Sequence, residues 1–319
     1  MEKIIIDCDP GIDDFAALLF AVRTKKVEIL GVTTVAGNCS VEAGTINALK
    51  ALELAGDTNI PVYKGMAKAL KIEDVDATYV HGSNGLGGIT FEMPKRKPEE
   101  ENAIDFLVRI VNENPGEITL VPMGALTNIA KAIEKDANFV KNVKRVVLMG
   151  GAEGKGNVTE AAEFNFYKDP DAAKIVFEAG FKEVVMLGLD VTRKIVLHPC
   201  LEQFLLKNGG ELGEFWYNIS RTGAAFDIKT EDVDGSIIND PVTIGYLIAP
   251  ELMHVKDAFV EISLEENSLG KSVVDNNYKE HNKVPNCKVA YDIEDIEFLK
   301  LLFKTIFKGE ETEIDKILQ

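Results

Sequence analysis

KIIIDCDPGIDDFAALLFAV, residues 3–22, is the stretch on which the fold turns. Lys3–Ile6 is a short apolar run of strand type. Pro10-Gly11 makes a turn, after which Ile12, Phe15, Leu18, Leu19 and Val22 recur at the spacing of an amphipathic helix. A second apolar run, Val27–Val35, follows at once. Strand, helix, strand at this spacing predicts a right-handed βαβ crossover and a parallel sheet. The alternation continues, with strands at Ile118–Val121, Val143–Met149 and Val184–Leu187. Helices are predicted at Val41–Leu54, Ala103–Asn112, Ala125–Lys135 and Pro170–Glu178. Beyond residue 190 the pattern becomes more helical, over Leu201–Leu206, Glu211–Arg221 and Pro241–Ile248. Strand-like runs return at Ala258–Leu264 and Lys288–Ala290, before a last helix over Ile293–Phe307. No linker, repeat or low-complexity tract interrupts the 319 residues. A single α/β domain over residues 1–319 is expected, with an open, mostly parallel sheet and helices on both faces.

Composition narrows the partners. Thirty-five Lys and Arg against 52 Asp and Glu leave a net charge of −17, which disfavours nucleic acid and anionic membranes. No apolar run reaches the roughly 18 residues of a membrane span, and the acidic N-terminal stretch is not a secretory signal. Cys8, Cys39, Cys200 and Cys287 form no CxxC pair. They read as reduced, mostly buried thiols, which points to the cytoplasm.

The chemistry concentrates in Asp7, Asp9, Asp13 and Asp14. Asp7 and Asp9 stand two apart at the end of a buried strand, so their carboxylates face the same way. Asp13 and Asp14 fall in the first helical turn, and the carboxyl end of a strand is where open sheets bind ligands. Four carboxylates crowded there repel one another unless a cation joins them, and hard oxygen ligands suit Ca²⁺ or Mg²⁺. The EF-hand spacing is not met. Neither a P-loop nor a dinucleotide-binding GxGxxG is present.

DCDPGIDD resembles the signature of the nucleoside hydrolases, the inosine/uridine-preferring ribohydrolase family. Further matches follow in order: TVAGN at Thr34–Asn38, HGSNGLGG from His81, VPMGALTNIA from Val121, and MGGAEGKGNVTEAAEFNFYKDPDAA from Met149. NDPVTIGY from Asn239, VVDNN from Val273 and VPNCKVAYDIE from Val284 complete them. The resemblance implies a Rossmann-like nucleoside hydrolase fold and hydrolysis of ribonucleosides to ribose and free base. It also implies a homodimer or homotetramer.

Carried over residue by residue, the resemblance implies a Ca²⁺ site formed by Asp9, Asp14, the backbone carbonyl of Met123, and Asp240, with Asp7 supporting it from behind. Asp13 would take the ribose 2′-hydroxyl, Asn165 the 3′-hydroxyl, and Asn157 with Glu163 the 5′-hydroxyl. Asn38 would lie beside the sugar and the attacking water, with Asp9 as the general base. Met123 stands where the family commonly has threonine, which leaves a carbonyl ligand unaffected, and the chain also departs from the family at the leaving-group site. Many members carry a histidine just before the last metal aspartate, and here that residue is Asn239, which can donate a hydrogen bond but is no acid near neutral pH. His81 is the candidate to compensate, and Trp216, Tyr217 and Phe226 are candidates to stack on the base. His198, His254 and His281 have no motif around them and read as surface or structural.

Two other readings compete. Haloacid-dehalogenase phosphohydrolases also open with a strand and D-x-D, but ask for Thr or Val where Gly11 stands. A riboside-binding relative with weak or altered turnover would explain Asn239, though it would have no need of a water-activating Asp9.

Overall fold

The computed structural model describes residues 1–73 and 78–319. Its strands in chain order are β1 (Glu2–Cys8), β2 (Val27–Thr34), β3 (Val62–Lys64), β4 (Ile118–Pro122), β5 (Arg145–Met149) and β6 (Val184–Leu187). They continue with β7 (Val196–Leu197), β8 (Ser236–Ile237), β9 (Met253–Ile262), β10 (Ser272–Asp275) and β11 (Cys287–Ile293). Among the described residues nine of these form one sheet, in the order β10-β9-β11-β6-β5-β4-β1-β2-β3. Pairing is parallel from β3 to β11, and only the β11–β9–β10 edge is antiparallel. β7 and β8 pair separately as a short antiparallel ribbon.

β1 lies between β2 and β4 with helices over both faces. Ile4, Ile5 and Ile6 are therefore fully buried, and the strand reads as an unbroken apolar run instead of an alternating one. Ile4 and Ile6 belong to one core cluster with Trp216, Phe298 and Phe303; Ile5 belongs to a second with Phe106, Ile129 and Phe166.

α1 (Ile12–Thr24) differs from the expected amphipathic helix, because every residue from Ile12 to Val22 is buried. Besides lying on the sheet, it packs against α2 (Val41–Ala55) and the helices Pro241–Ile248 and Asp295–Ile306, which leaves it no solvent face. Several elements differ in length, among them β11, which runs Cys287–Ile293 instead of Lys288–Ala290, and the helix Pro199–Asn208, expected as Leu201–Leu206. β9 begins at Met253 instead of Ala258, since the exposed His254 and Asp257 interrupt the apolar run there. The helix expected to stop at Arg221 continues to Thr230 through a stretch with no clear apolar stripe.

The chain runs from β1 outward to β2 and β3, then returns to β4 on the other side of β1. Strand order thus reverses between β1 and β4, the place where an open α/β sheet leaves a crevice for ligands. In register, Asp7 lies opposite Thr33 of β2 and Pro122 of β4. Asp9, the segment after Thr34, and Met123 therefore emerge together at this edge. Among the described residues no helix is long and apolar enough to cross a membrane. Cys8, Cys39 and Cys287 are buried and Cys200 is exposed, all as free thiols.

Candidate active site

The turn after β1 is tied by its own carboxylates. Asp14, at the third helical position, accepts the N–H of Gly11 (2.9 Å) and of Asp9 (3.2 Å), closing the start of α1. Asn38 clamps the same turn from the β2 side. Its backbone N–H donates to Asp9 Oδ2 (2.7 Å) and its Nδ2 to Asp14 Oδ2 (3.1 Å). Gly37 leaves room for this arrangement, since a Cβ there would lie 1.7 Å from Asp9 Oδ2.

Asp240 reaches the same point from the far end of the chain, just before the helix Pro241–Ile248. One carboxylate oxygen each from Asp13, Asp14 and Asp240 lie within 4.8 Å of one another, and all three residues are buried. The Asp14 and Asp240 carboxylates lie close enough to share a proton. Asp9 Oδ1 and Asp13 Oδ1 are buried with no partner. Burial first, and then the neighbouring carboxylates, push Asp9 and Asp240 well above the usual carboxylate range and Asp14 up to about 7. Such a cluster is costly alone, and its all-oxygen, acidic donor set fits a hard divalent cation.

Asp14 and Asp240 are in the close group, and Asp13, expected at the sugar, joins them. Asp9 is adjacent, held by Asn38 and within Coulombic reach of Asp13 and Asp14. The Met123 carbonyl accepts Asn165 Nδ2 (2.9 Å), and the Met123 N–H donates to the Asp7 carbonyl (2.7 Å). Asp7 accepts from Thr33 Oγ1 (2.5 Å) and Asn128 Nδ2 (2.7 Å), while burial lifts its carboxyl to about 7.

Above the cluster opens a cavity with about 890 Å³ of empty space, its mouth included. Asp13, Asn38, His81, Met123, Asn157, Glu163, Asn165, Asn239 and Asp240 all line it. Glu163 caps the helix Phe164–Lys168, accepting N–H groups from Asn165 (2.7 Å), Gly151 (2.8 Å) and Phe166 (3.2 Å). Burial nonetheless raises it to about 7. Asn165 donates to the Met123 and Met149 carbonyls, and Asn157, at the exposed rim, accepts the Phe164 N–H (2.9 Å). Asn239 Nδ2 donates to Asp13 Oδ2 (2.9 Å).

His81 is half-buried, and its Nδ1 accepts the N–H of Ile12 (3.4 Å). Burial holds its pKa below 6.5, with the charge of Asp13 opposing. The glycine-rich stretch behind it is organised by Asn84, whose Oδ1 accepts the N–H groups of Leu86 (3.1 Å) and Gly88 (2.9 Å). Asn47 Nδ2 ties the Asn84 carbonyl to that of Pro10, which joins this loop to the β1–α1 turn.

The three aromatic candidates separate. Trp216 is a core residue, stacked on Phe303 (5.4 Å) and Phe307 (6.2 Å). Tyr217 carries the Arg221 guanidinium over its ring, and Phe226 lines the cavity. His198, His254 and His281 are exposed and paired with Asp234, Glu294 and Asp275. Arg193, Asp227 and Glu231 also line the cavity, and sequence reasoning missed them. Their one signal was Asp227 and Glu231 at helical spacing, which solvated faces show as often.

The family model for inosine-uridine preferring nucleoside hydrolases matches residues 4–300. Uridine nucleosidase 1 of Arabidopsis thaliana is 39% identical over 287 residues, covering 88% of this chain and 84% of its own. Among solved structures, a plant nucleoside hydrolase (the PpNRh1 enzyme) superposes with a TM-score of 0.91 at 33% identity, covering 97% of this chain and 99% of its own. A purine-preferring ribonucleoside hydrolase from Gardnerella vaginalis superposes with a TM-score of 0.89 at 29% identity, covering 99% and 100%.

Proposed function

The chain belongs to the inosine-uridine preferring nucleoside hydrolase family and is an N-glycosyl hydrolase, and from that premise we propose a calcium-dependent ribonucleoside hydrolase, one domain over residues 1–319, that releases ribose and free nucleobase. The observation that carries this reading is the pair of orphaned buried oxygens, Asp9 Oδ1 and Asp13 Oδ1, beside the carboxylate cluster under the cavity.

Asp9, Asp14, Asp240 and the Met123 carbonyl would hold the ion, with Asp13 at its edge. A divalent cation there supplies positive charge and makes an adjacent water more acidic.

The remaining work falls to the chain's own groups. Asp9 Oδ2 is fixed by the Asn38 N–H, which leaves Oδ1 to take the proton of the attacking water as general base. Asp13 Oδ2 is fixed by Asn239, which leaves Oδ1 for the ribose 2′-hydroxyl. Asn165 spends Nδ2 on two carbonyls, so its Oδ1 is the group offered to the 3′-hydroxyl. Asn157 spends Oδ1 on Phe164, so its Nδ2 joins Glu163 at the 5′-hydroxyl. The cleaved sugar develops positive charge, and the surrounding carboxylates stabilise it. His81, with Nδ1 accepting, presents Nε2–H as a hydrogen-bond donor to the base side.

The test is a panel of purine and pyrimidine ribonucleosides incubated with purified protein, with reducing sugar and free base measured together. Equimolar release with turnover supports the reading. Release of neither product from any riboside contradicts it.

A further inference from the structure

Cleavage of an N-glycosidic bond leaves an electron pair on the departing base, and none of the residues assigned above is a free acid that could meet it. Asn239 is an amide. His81 is kept neutral, and a neutral imidazole is a poor proton donor. Glu163 has both oxygens held by three N–H groups. Glu231 is locked to Arg193 Nε (2.9 Å).

Asp227 is different. It projects into the cavity wall from the helix Gly210–Thr230, next to Phe226. Its Oδ2 accepts the Ile237 N–H (2.8 Å) and Ser236 Oγ (3.5 Å). Among the described residues Oδ1 takes part in no hydrogen bond, and no Lys or Arg pairs with the carboxyl. We infer that Asp227 is the proton donor to the departing nucleobase, a role that rests on the ribonucleoside hydrolysis proposed above.

Its surroundings keep the proton on near neutral pH. Burial, with the charges of Asp13 and Glu231, lifts the carboxyl to about 7, against the donors Ile237 and Ser236. The ionisable groups that share the cavity with it are Asp13 from α1, His81 from the short helix before the glycine-rich stretch, Glu163, Asp240, and Glu231 with its partner Arg193. On the packed neighbouring helix Pro199–Asn208, Glu202 feels the charge of Arg221. In the step, the C1′–N bond breaks and its electron pair passes to the base. The Oδ1 proton of Asp227 moves to a base heteroatom. The attacking water gives its hydroxide to C1′ and its other proton to Asp9. Ribose and neutral base leave, and solvent returns the proton from Asp9 to Asp227.

The experiment compares Asp227→Asn with wild type on inosine, uridine and p-nitrophenyl riboside, whose leaving group departs without help, across pH. Asparagine keeps an acceptor for the Ile237 N–H, and turnover of the nitrophenyl substrate reports a folded site. The expected result is a loss of about 10²-fold or more in kcat on both nucleosides. The loss on the nitrophenyl substrate is smaller by at least about tenfold, and the fall in nucleoside turnover above pH 7 disappears. Equal losses on both substrate classes, no loss on either, or an unchanged alkaline limb would overturn the inference. Wild-type protein inert toward all three substrates contradicts the hydrolase proposal itself, and this inference falls with it.

Discussion

Asn239 donates Nδ2–H to Asp13 Oδ2 across 2.9 Å while its own Oδ1 lies buried without a partner. The amide therefore fixes the carboxylate proposed to meet the ribose and leaves an unused acceptor next to it. Asn239→Ala removes a hydrogen bond to a charged group, worth about 1.5–3 kcal/mol. The expected outcome is a rise of roughly 10- to 100-fold in KM for ribonucleosides, larger than the fall in kcat. Steady-state kinetics on inosine and uridine check this. A kcat loss at constant KM would move Asn239 from sugar binding to the chemical step.

Gly37 tests the placement of Asp9, the proposed general base, without touching its chemistry. A Cβ 1.7 Å from Asp9 Oδ2 forces the carboxylate aside, so Gly37→Ala should lower kcat by about 10²-fold. Asp9→Asn should lose about 10²–10⁴-fold, because the proton acceptor is gone. Far-UV circular dichroism and a thermal melt show whether either variant is still folded. A folded Gly37→Ala protein with wild-type kcat would mean that Asp9 need not sit where Asn38 holds it.

Glu163 predicts a pH dependence of stability. Burial raises it to about 7 from 4.5, so the folded state binds its proton more tightly than the unfolded chain does. Its contribution is complete below pH 4.5 and is lost as pH rises through 7. The thermal midpoint of wild type should therefore fall between pH 5 and 8. In Glu163→Gln the slope should be shallower and the midpoint lower at pH 5, because an amide NH₂ then faces backbone N–H donors. Calorimetry of both proteins at four pH values decides, and parallel slopes would remove Glu163 as a titrating group.

Trp216 and Phe226 lie on one helix and do different things. Trp216→Ala should cost about 3–5 kcal/mol of stability through the cavity left beside Phe303 and Phe307. Phe226→Ala should leave the melt nearly unchanged and raise KM for nucleosides several-fold. Thermal melts and kinetics on the two variants separate the roles, and a reversed pattern would exchange them.

The same pair marks where sequence reading stops. Continuous apolar runs such as Ile4–Ile6 are legible because burial on both faces demands them. The turn DCDPGIDD is legible because so many carboxylates need a common reason. That Trp216 faces the core and Phe226 the cavity depends on what packs against their helix, which spacing alone does not record. α1 hides its second face for a similar reason. Its large apolar residues mark one stripe, while Ala16, Ala17 and Ala21 quietly fill the other sides against neighbouring helices. The approach of Asp13 to Asn239, 226 residues away, is a product of the whole sheet. In the sequence only the family resemblance links those two segments.

The most direct test of the central claim is calcium titration of chelator-stripped protein, with binding and ribonucleoside turnover followed in the same samples. The account predicts one ion per chain, turnover that rises in proportion to occupancy, and loss of both in Asp240→Asn. Full turnover in the stripped protein, or calcium binding that Asp240→Asn leaves intact, would contradict it.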